Sequence, residues 1–327
     1  MNTCPSLLRK LASGGKLISW LLSLLILITG CSSAAVATPR PVLITIGGAT
    51  ALEPVLQELT AEFTRRHPNV LFTLRGGGST LGEEMALSRR VDLGASALFP
   101  SSEPMAAQRS LTRIPIGVDG LAIVVHSSNE VPELTKEQLQ GLFGGEILDW
   151  GEVGSTAGEI VLVSREDGSG SRKLFEDEVM QGEPVSLTAV VMPTSRDVVE
   201  YIAKTPNAIG YVSRALVMSQ SGSVATATPT PSQSATGIIT EGIPGSITGN
   251  ITGTMTATPD PALRVRVVPV DGVLPTLSAL RDRSYPLIQP LYLVSRGQTW
   301  GTVRQFVDFV LSPAGQTIVR RYHLPVR

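Results

Sequence analysis

One unit recurs in this chain and constrains its fold more than any other feature: an apolar strand, a glycine-rich turn ending in serine or threonine, then an amphipathic helix. "VLITIGG" (42–48) runs through Gly47-Gly48-Ala49-Thr50 into "ALEPVLQELTAEFTRRH" (51–67). There Leu52, Val55, Leu56, Leu59 and Phe63 recur at helical spacing, with Pro54 in the tolerant first turn. "NVLFTLRG" (69–76) runs through Gly76-Gly77-Gly78-Ser79 into a helix over Thr80–Arg90, where Thr80 and Glu83 match a capping box. "EIVLVSRED" (159–167) runs through Gly168-Ser169-Gly170-Ser171 into a helix from Ser171. "RVDLGAS" (90–96) begins a further strand, and the unbroken apolar run of "GLAIVVH" (120–126) predicts one buried on both faces. Strands alternating with helices predict an α/β fold with mostly parallel sheets, whose ligands collect at the carboxyl ends of strands.

A chain of 327 residues has room for two cores, and 42% hydrophobic, 17% charged and 5% aromatic residues suit a globular α/β protein. The first thirty residues read as a processing signal: basic Arg9, Lys10 and Lys16, an apolar run Leu17–Ile28, then "LITGC". That ending resembles a bacterial lipobox, which makes Cys31 the lipidated first residue, followed by a tether to residue 41. Cys4 leaves with the signal, so no cysteine pair remains for a disulfide. Removing three basic residues from 27 leaves 24 Lys and Arg against 28 Asp and Glu, a net charge of −4. A mildly acidic body with no basic stripe excludes nucleic acid as a partner and leaves any anion to local groups. Residues 219–261 are rich in Ser, Thr, Gly, Pro and Ala, with Glu241 and Asp260 their only charges. Such a composition predicts a flexible insert.

The hydroxyl-bearing turns carry the chemistry. A serine before a helix is ordinarily an N-cap. The same exposed N–H groups and the positive end of the helix dipole also bind oxyanions. Three such turns, with Arg165 directly before one, suggest convergence on a tetrahedral oxyanion. Neither "GGGSTLG" nor "DGSGSRK" fits the lysine-bearing phosphate loop of nucleotide hydrolases. No serine in these turns has the glycine flanks of a nucleophile elbow, and His67, His126 and His323 lie outside them. Scattered histidines supply no metal cluster. An enzyme is therefore disfavoured, and no cofactor or metal is expected.

The order of "GGAT…EP", "RGGGST", "VDLGAS", "VDGLAIVV", "SREDGSGSR", "NAIGYVS", "DGVLPT", "YPLIQPLYLV" and "FVDFVLSPAGQ" resembles that of the phosphate-binding proteins of bacterial phosphate ABC importers, the PstS-like family, over residues 42–327. The resemblance implies a two-lobed type II periplasmic-binding-protein fold with the ligand cleft between lobes. It implies a lipid-anchored, extracytoplasmic, monomeric receptor that binds phosphate and delivers it to the transmembrane permease subunits. One lobe would combine 42–125 with 286–327, and the other would span 126–285 including the insert. Carried over by motif, the phosphate-binding residues are Thr50, Ala51, Ser79, Arg165, Ser169, Gly170 and Ser171, with Asp167 orienting Arg165. One position departs: the family aspartate after "GAS", which accepts the proton of bound phosphate, is Ala97 here. Asp119 is the candidate replacement, against a purely structural turn aspartate, while Asp92 reads as structural. Otherwise the chain binds phosphate with less discrimination against sulfate or arsenate, its ligand is another oxyanion such as sulfate, or it is a sensor or adhesin derived from a receptor. Deleting 219–261 should leave anion affinity and cooperative folding unchanged in calorimetric titration and thermal melts; loss of folding would refute the flexible reading.

Overall fold

The structure, a computed structural model, describes residues 40–101, 110–218 and 264–326. The expected signal segment (1–30), Cys31 and the 219–261 segment lie outside them. Among the described residues no helix is long and apolar enough to cross a membrane.

Strand β1 (Val42–Gly48) is followed by a short 3-10 turn (Thr50–Leu52) and helix α1 (Glu53–Arg66). Next come β2 (Val70–Arg75), α2 (Gly78–Leu87) and β3 (Leu93–Ser96). The long β4 (Leu111–His126) leads to α3 (Lys136–Gly144), β5 (Val161–Arg165), α4 (Gly170–Glu178), β6 (Val190–Met192), α5 (Ser195–Ile202), β7 (Ala208–Ser213) and α6 (Arg214–Met218). After the undescribed segment lie β8 (Val265–Val268), α7 (Leu277–Arg281), β9 (Ile288–Arg296), α8 (Gly301–Leu311), α9 (Pro313–Tyr322) and β10 (Leu324–Pro325).

The strands run in the order β2-β1-β3-β9-β4-β7-β5-β6. β1 pairs parallel with β2 and β3, and β5 pairs parallel with β6 and β7, as crossover helices require. Every pairing of β4 and β9 is antiparallel, because these are the strands that carry the chain between halves. β4 does so in one pass. Its residues Leu111–Gly120 pair with β9, while Leu121–His126 pair with β7 and β8. The first crossing therefore lies at Gly120–Leu121, where Leu121 N–H donates to Leu287 O, and not after Val125. The sequence places the boundary late because the apolar run of β4 belongs wholly to the second lobe. There Leu121, Ile123 and Val125 enter one core, and Ala122 and Val124 enter the core on the opposite sheet face.

The first lobe buries Ile44, Ile46, Leu52, Leu56, Leu59 and Phe63 against Leu291, Leu293 and the apolar faces of α8 and α9. Phe63 is its hub. The ring meets Phe72 and Phe306 edge-on at 5.9 and 5.4 Å and lies 5.6 Å from Phe309. Helix α2 differs from the sequence expectation. It starts at Gly78 behind Gly77, whose φ of 124° no side chain tolerates well, and has no side-chain cap. The Thr80–Glu83 capping box does not form, and Glu83 instead accepts from Ser96 Oγ and Arg113. Asp92 is structural, accepting from Thr45 N–H at 2.7 Å and from Thr45 Oγ1 at 2.8 Å. Phe63→Ala should lower unfolding stability by about 3–5 kcal/mol in urea titration, since it empties the meeting point of α1, α8 and β2.

Candidate functional site

The strand-to-helix turns after β1, β2 and β5 face one another. Thr50, Ala51, Ser79, Arg165, Ser169, Gly170 and Ser171 line a single tight enclosure, together with Ala49, Gly78 and Ala97. Each residue arrives because its strand ends there and its turn redirects the chain. The approach is close enough to demand glycine. A Cβ on Gly78 (φ +81°) would stand 2.6 Å from Gly168 O, and one on Gly170 would stand 2.5 Å from Ser79 Oγ. Thr80 N–H donates to Gly168 O at 3.1 Å, which ties α2 of the first lobe to the α4 turn of the second.

Arg165 is the charge in this enclosure, and it is 1% exposed. Its guanidinium donates to both carboxylate oxygens of Glu166 at 2.9 Å, to Ser195 Oγ at 2.7 Å and to Thr50 Oγ1 at 3.2 Å. It also donates to the carbonyls of Met192 and Pro193, each at 3.3 Å. Burial lowers the Arg165 pKa, opposed by the attraction of Glu166. Burial likewise raises the Glu166 carboxyl, opposed by Arg165. Both directions say that desolvation outweighs the attraction within the pair, so the pair is a poor source of stability. Arginine keeps its proton regardless. What remains is a buried cation whose one carboxylate partner is itself partly solvated, and a second negative charge would be favoured beside it.

The other groups are donors. Ser169 caps α4, its Oγ accepting from Arg172 N–H at 3.3 Å. Ser79 Oγ accepts from Ala97 N–H at 3.0 Å, and Thr50 Oγ1 accepts from Ser195 N–H at 3.3 Å. The two serine oxygens each take an N–H and keep their own proton to donate, while Thr50 Oγ1, which also accepts from Arg165, lies 3.3 Å from Ser195 Oγ. The 3-10 turn and α2 both start with no side-chain cap. Behind Arg165, Ser164 Oγ and Tyr211 OH lie 2.7 Å apart, and Tyr211 stacks on Phe175 of α4 at 4.3 Å. Burial pushes the Tyr211 phenol up to about 12, so it remains a neutral buttress. Chemically the enclosure can surround a small anion with one cation and converging hydroxyl and backbone donors.

Two sequence expectations need correction. Asp167 does not orient Arg165; its carboxylate is 94% exposed and pairs with Arg172 at 2.5 Å. β5 ends at Arg165, and Glu166, the next residue, pairs with the guanidinium. Asp119 does not line the enclosure. It is fully buried, and its nearest link to the cavity passes through Gln289 to Ser171. Sequence reasoning also missed Ser195, although "PTSRD" is another hydroxyl-bearing helix start, capped by Thr194. Gln289 carries no local signal. Gly170→Ala should hold the lobes apart, and the Thr80 amide should lose protection in hydrogen exchange. Unchanged exchange there would show that the enclosure tolerates the methyl group.

Comparison with known proteins agrees with this geometry. Phosphate-binding protein PstS of Bacillus subtilis (strain 168) is 24% identical over 270 residues, covering 82% of this chain and 75% of that protein. Phosphate-binding protein PstS of Borreliella burgdorferi is 20% identical over 285 residues, covering 85% and 87%. A Clostridium perfringens protein whose crystal structure holds bound phosphate superposes with a TM-score of 0.69 at 25% identity, covering 87% of this chain and all of that one. The model of the PBP superfamily domain matches residues 35–314, and the chain belongs to that superfamily.

Proposed function

We propose that this chain is an extracytoplasmic solute receptor that binds inorganic phosphate between its two lobes and delivers it to an ABC permease. The observation that carries the reading is the Arg165 guanidinium, 1% exposed and lining one enclosure with hydroxyl-bearing residues of both lobes. Relatives named as phosphate-binding proteins, and a similar structure with bound phosphate, support it. Phosphate entering an open cleft exchanges water for Thr50, Ser79, Ser169, Ser171 and Arg165, and the lobes close by bending at the β4 and β9 crossings. Arg165 neutralises charge, the hydroxyls fix the tetrahedron, and exclusion of water strengthens each contact. Nothing in this sequence of events breaks a bond, so the chain acts as a carrier and not an enzyme. Cys31, outside the described residues, would carry the lipid that keeps the monomer at the membrane surface.

A second reading is a receptor for another tetrahedral oxyanion. It is supported by Ala97, whose methyl lines the enclosure where the resembled family has a carboxylate. Calorimetric titration of the chain with phosphate and with sulfate separates the two. Arg165→Ala should weaken phosphate binding at least about a hundredfold, through loss of charge-assisted bonds in a dehydrated site. Near-unchanged affinity in that variant would mean that the anion binds elsewhere.

A further inference from the structure

Gln289 stands at the second crossing, fully buried, between the enclosure and a set of buried polar side chains that no lining residue includes. Its Nε2 donates to Asp119 Oδ2 at 3.3 Å, and its Oε1 accepts from Ser171 Oγ at 3.3 Å. Asp119 also accepts from Ser213 Oγ, and its Oδ1 lies 3.2 Å from His323 Nδ1. A carboxylate only accepts, so the NH2 end of the Gln289 amide must face Asp119. Shape alone would leave the two ends of that amide interchangeable. Asp119 removes the ambiguity, and the carbonyl end is forced toward Ser171.

The consequence falls on one hydroxyl. Serine has one proton and two lone pairs. The Ser171 proton is committed to Gln289, so Ser171 can turn only lone pairs toward the enclosure. Ser79 and Ser169 are the opposite case, since each accepts an N–H and retains a proton to give. The lining thus presents donors on several sides and one hydroxyl held as an acceptor.

We infer that the Asp119–Gln289–Ser171 chain makes Ser171 the acceptor for the proton of a protonated tetrahedral oxyanion, and so selects phosphate over sulfate in a lining without a carboxylate. The inference rests on the phosphate reading above. Near neutral pH phosphate carries one or two protons and can donate to Ser171. Sulfate carries none, and at Ser171 it sets lone pair against lone pair, which is selection by an unpaired polar contact. Gln289 and Asp119 are positioning residues, and they act on the anion only through the Ser171 hydroxyl.

The test is calorimetric titration of the full-length protein with phosphate and sulfate separately, with thermal melts confirming that each variant is folded. The wild-type chain should prefer phosphate by about a hundredfold or more. Ser171→Ala, a mild change at a helix start, should cut that ratio by at least about tenfold. Gln289→Met should cut it similarly, chiefly by strengthening sulfate, because the Ser171 proton is then free to donate. Ser79→Ala should weaken both anions and leave the ratio unchanged. A wild-type chain without preference would overturn the inference, as would an unchanged ratio in Ser171→Ala or in a folded Gln289→Met. In either case phosphate binding that still depends on Arg165 leaves the receptor reading standing. A wild-type chain that binds neither anion removes both.

Discussion

The buried Arg165 guanidinium is the interaction on which the rest of the site depends. Its desolvation is only partly offset by Glu166, so the fold must supply a dense set of acceptors to hold it: Ser195, Thr50 and two backbone carbonyls. These acceptors come from both lobes. The cation is therefore enclosed as shown only when the lobes are together, and the arginine couples charge placement to closure. The glycines follow from the same constraint. A turn that approaches its counterpart as closely as Gly78 approaches Gly168 has no room for a side chain.

The two crossing strands give the enclosure its second boundary. β4 belongs to the first lobe up to Gly120 and to the second from Leu121, while β9 begins beside the same point at Ile288. Asp119 and Gln289 thus sit at the crossing itself, fully buried, and Gln289 reaches Ser171 at the start of α4. Polar groups buried at a bend are costly unless paired. Here one line of pairing runs from Asp119 at the crossing through Gln289 to the Ser171 hydroxyl that lines the enclosure.

Much of this architecture is legible in the sequence because strands, turns and helix starts are local matters. β1, α1, β2, β5 and α4 lie close to where hydrophobic periodicity puts them, and the three hydroxyl-bearing turns do converge. The failures are equally instructive. The Thr80 cap was a plausible local motif, but Gly77 and Gly78 let α2 begin earlier, and Glu83 found a stronger partner in Arg113. Asp167 was carried over by motif as the partner of Arg165, but β5 stops at Arg165 and Glu166, next in the chain, takes the guanidinium.

Sequence alone determined the α/β class and the hydroxyl-bearing helix starts of Thr50, Ser79 and Ser169–Ser171 beside Arg165. Those follow from apolar period, glycine freedom and helix-start donors, all readable within about a dozen residues. Tertiary structure decided which carboxylate holds the arginine, that Asp119 lies behind the enclosure and not in it, and that Ser171 faces Gln289. These contacts join residues more than a hundred positions apart, as between Ser171 and Gln289. Hydrogen-bond direction between such residues depends on which lone pairs and protons neighbours have already taken, and that is settled only when the distant strands meet.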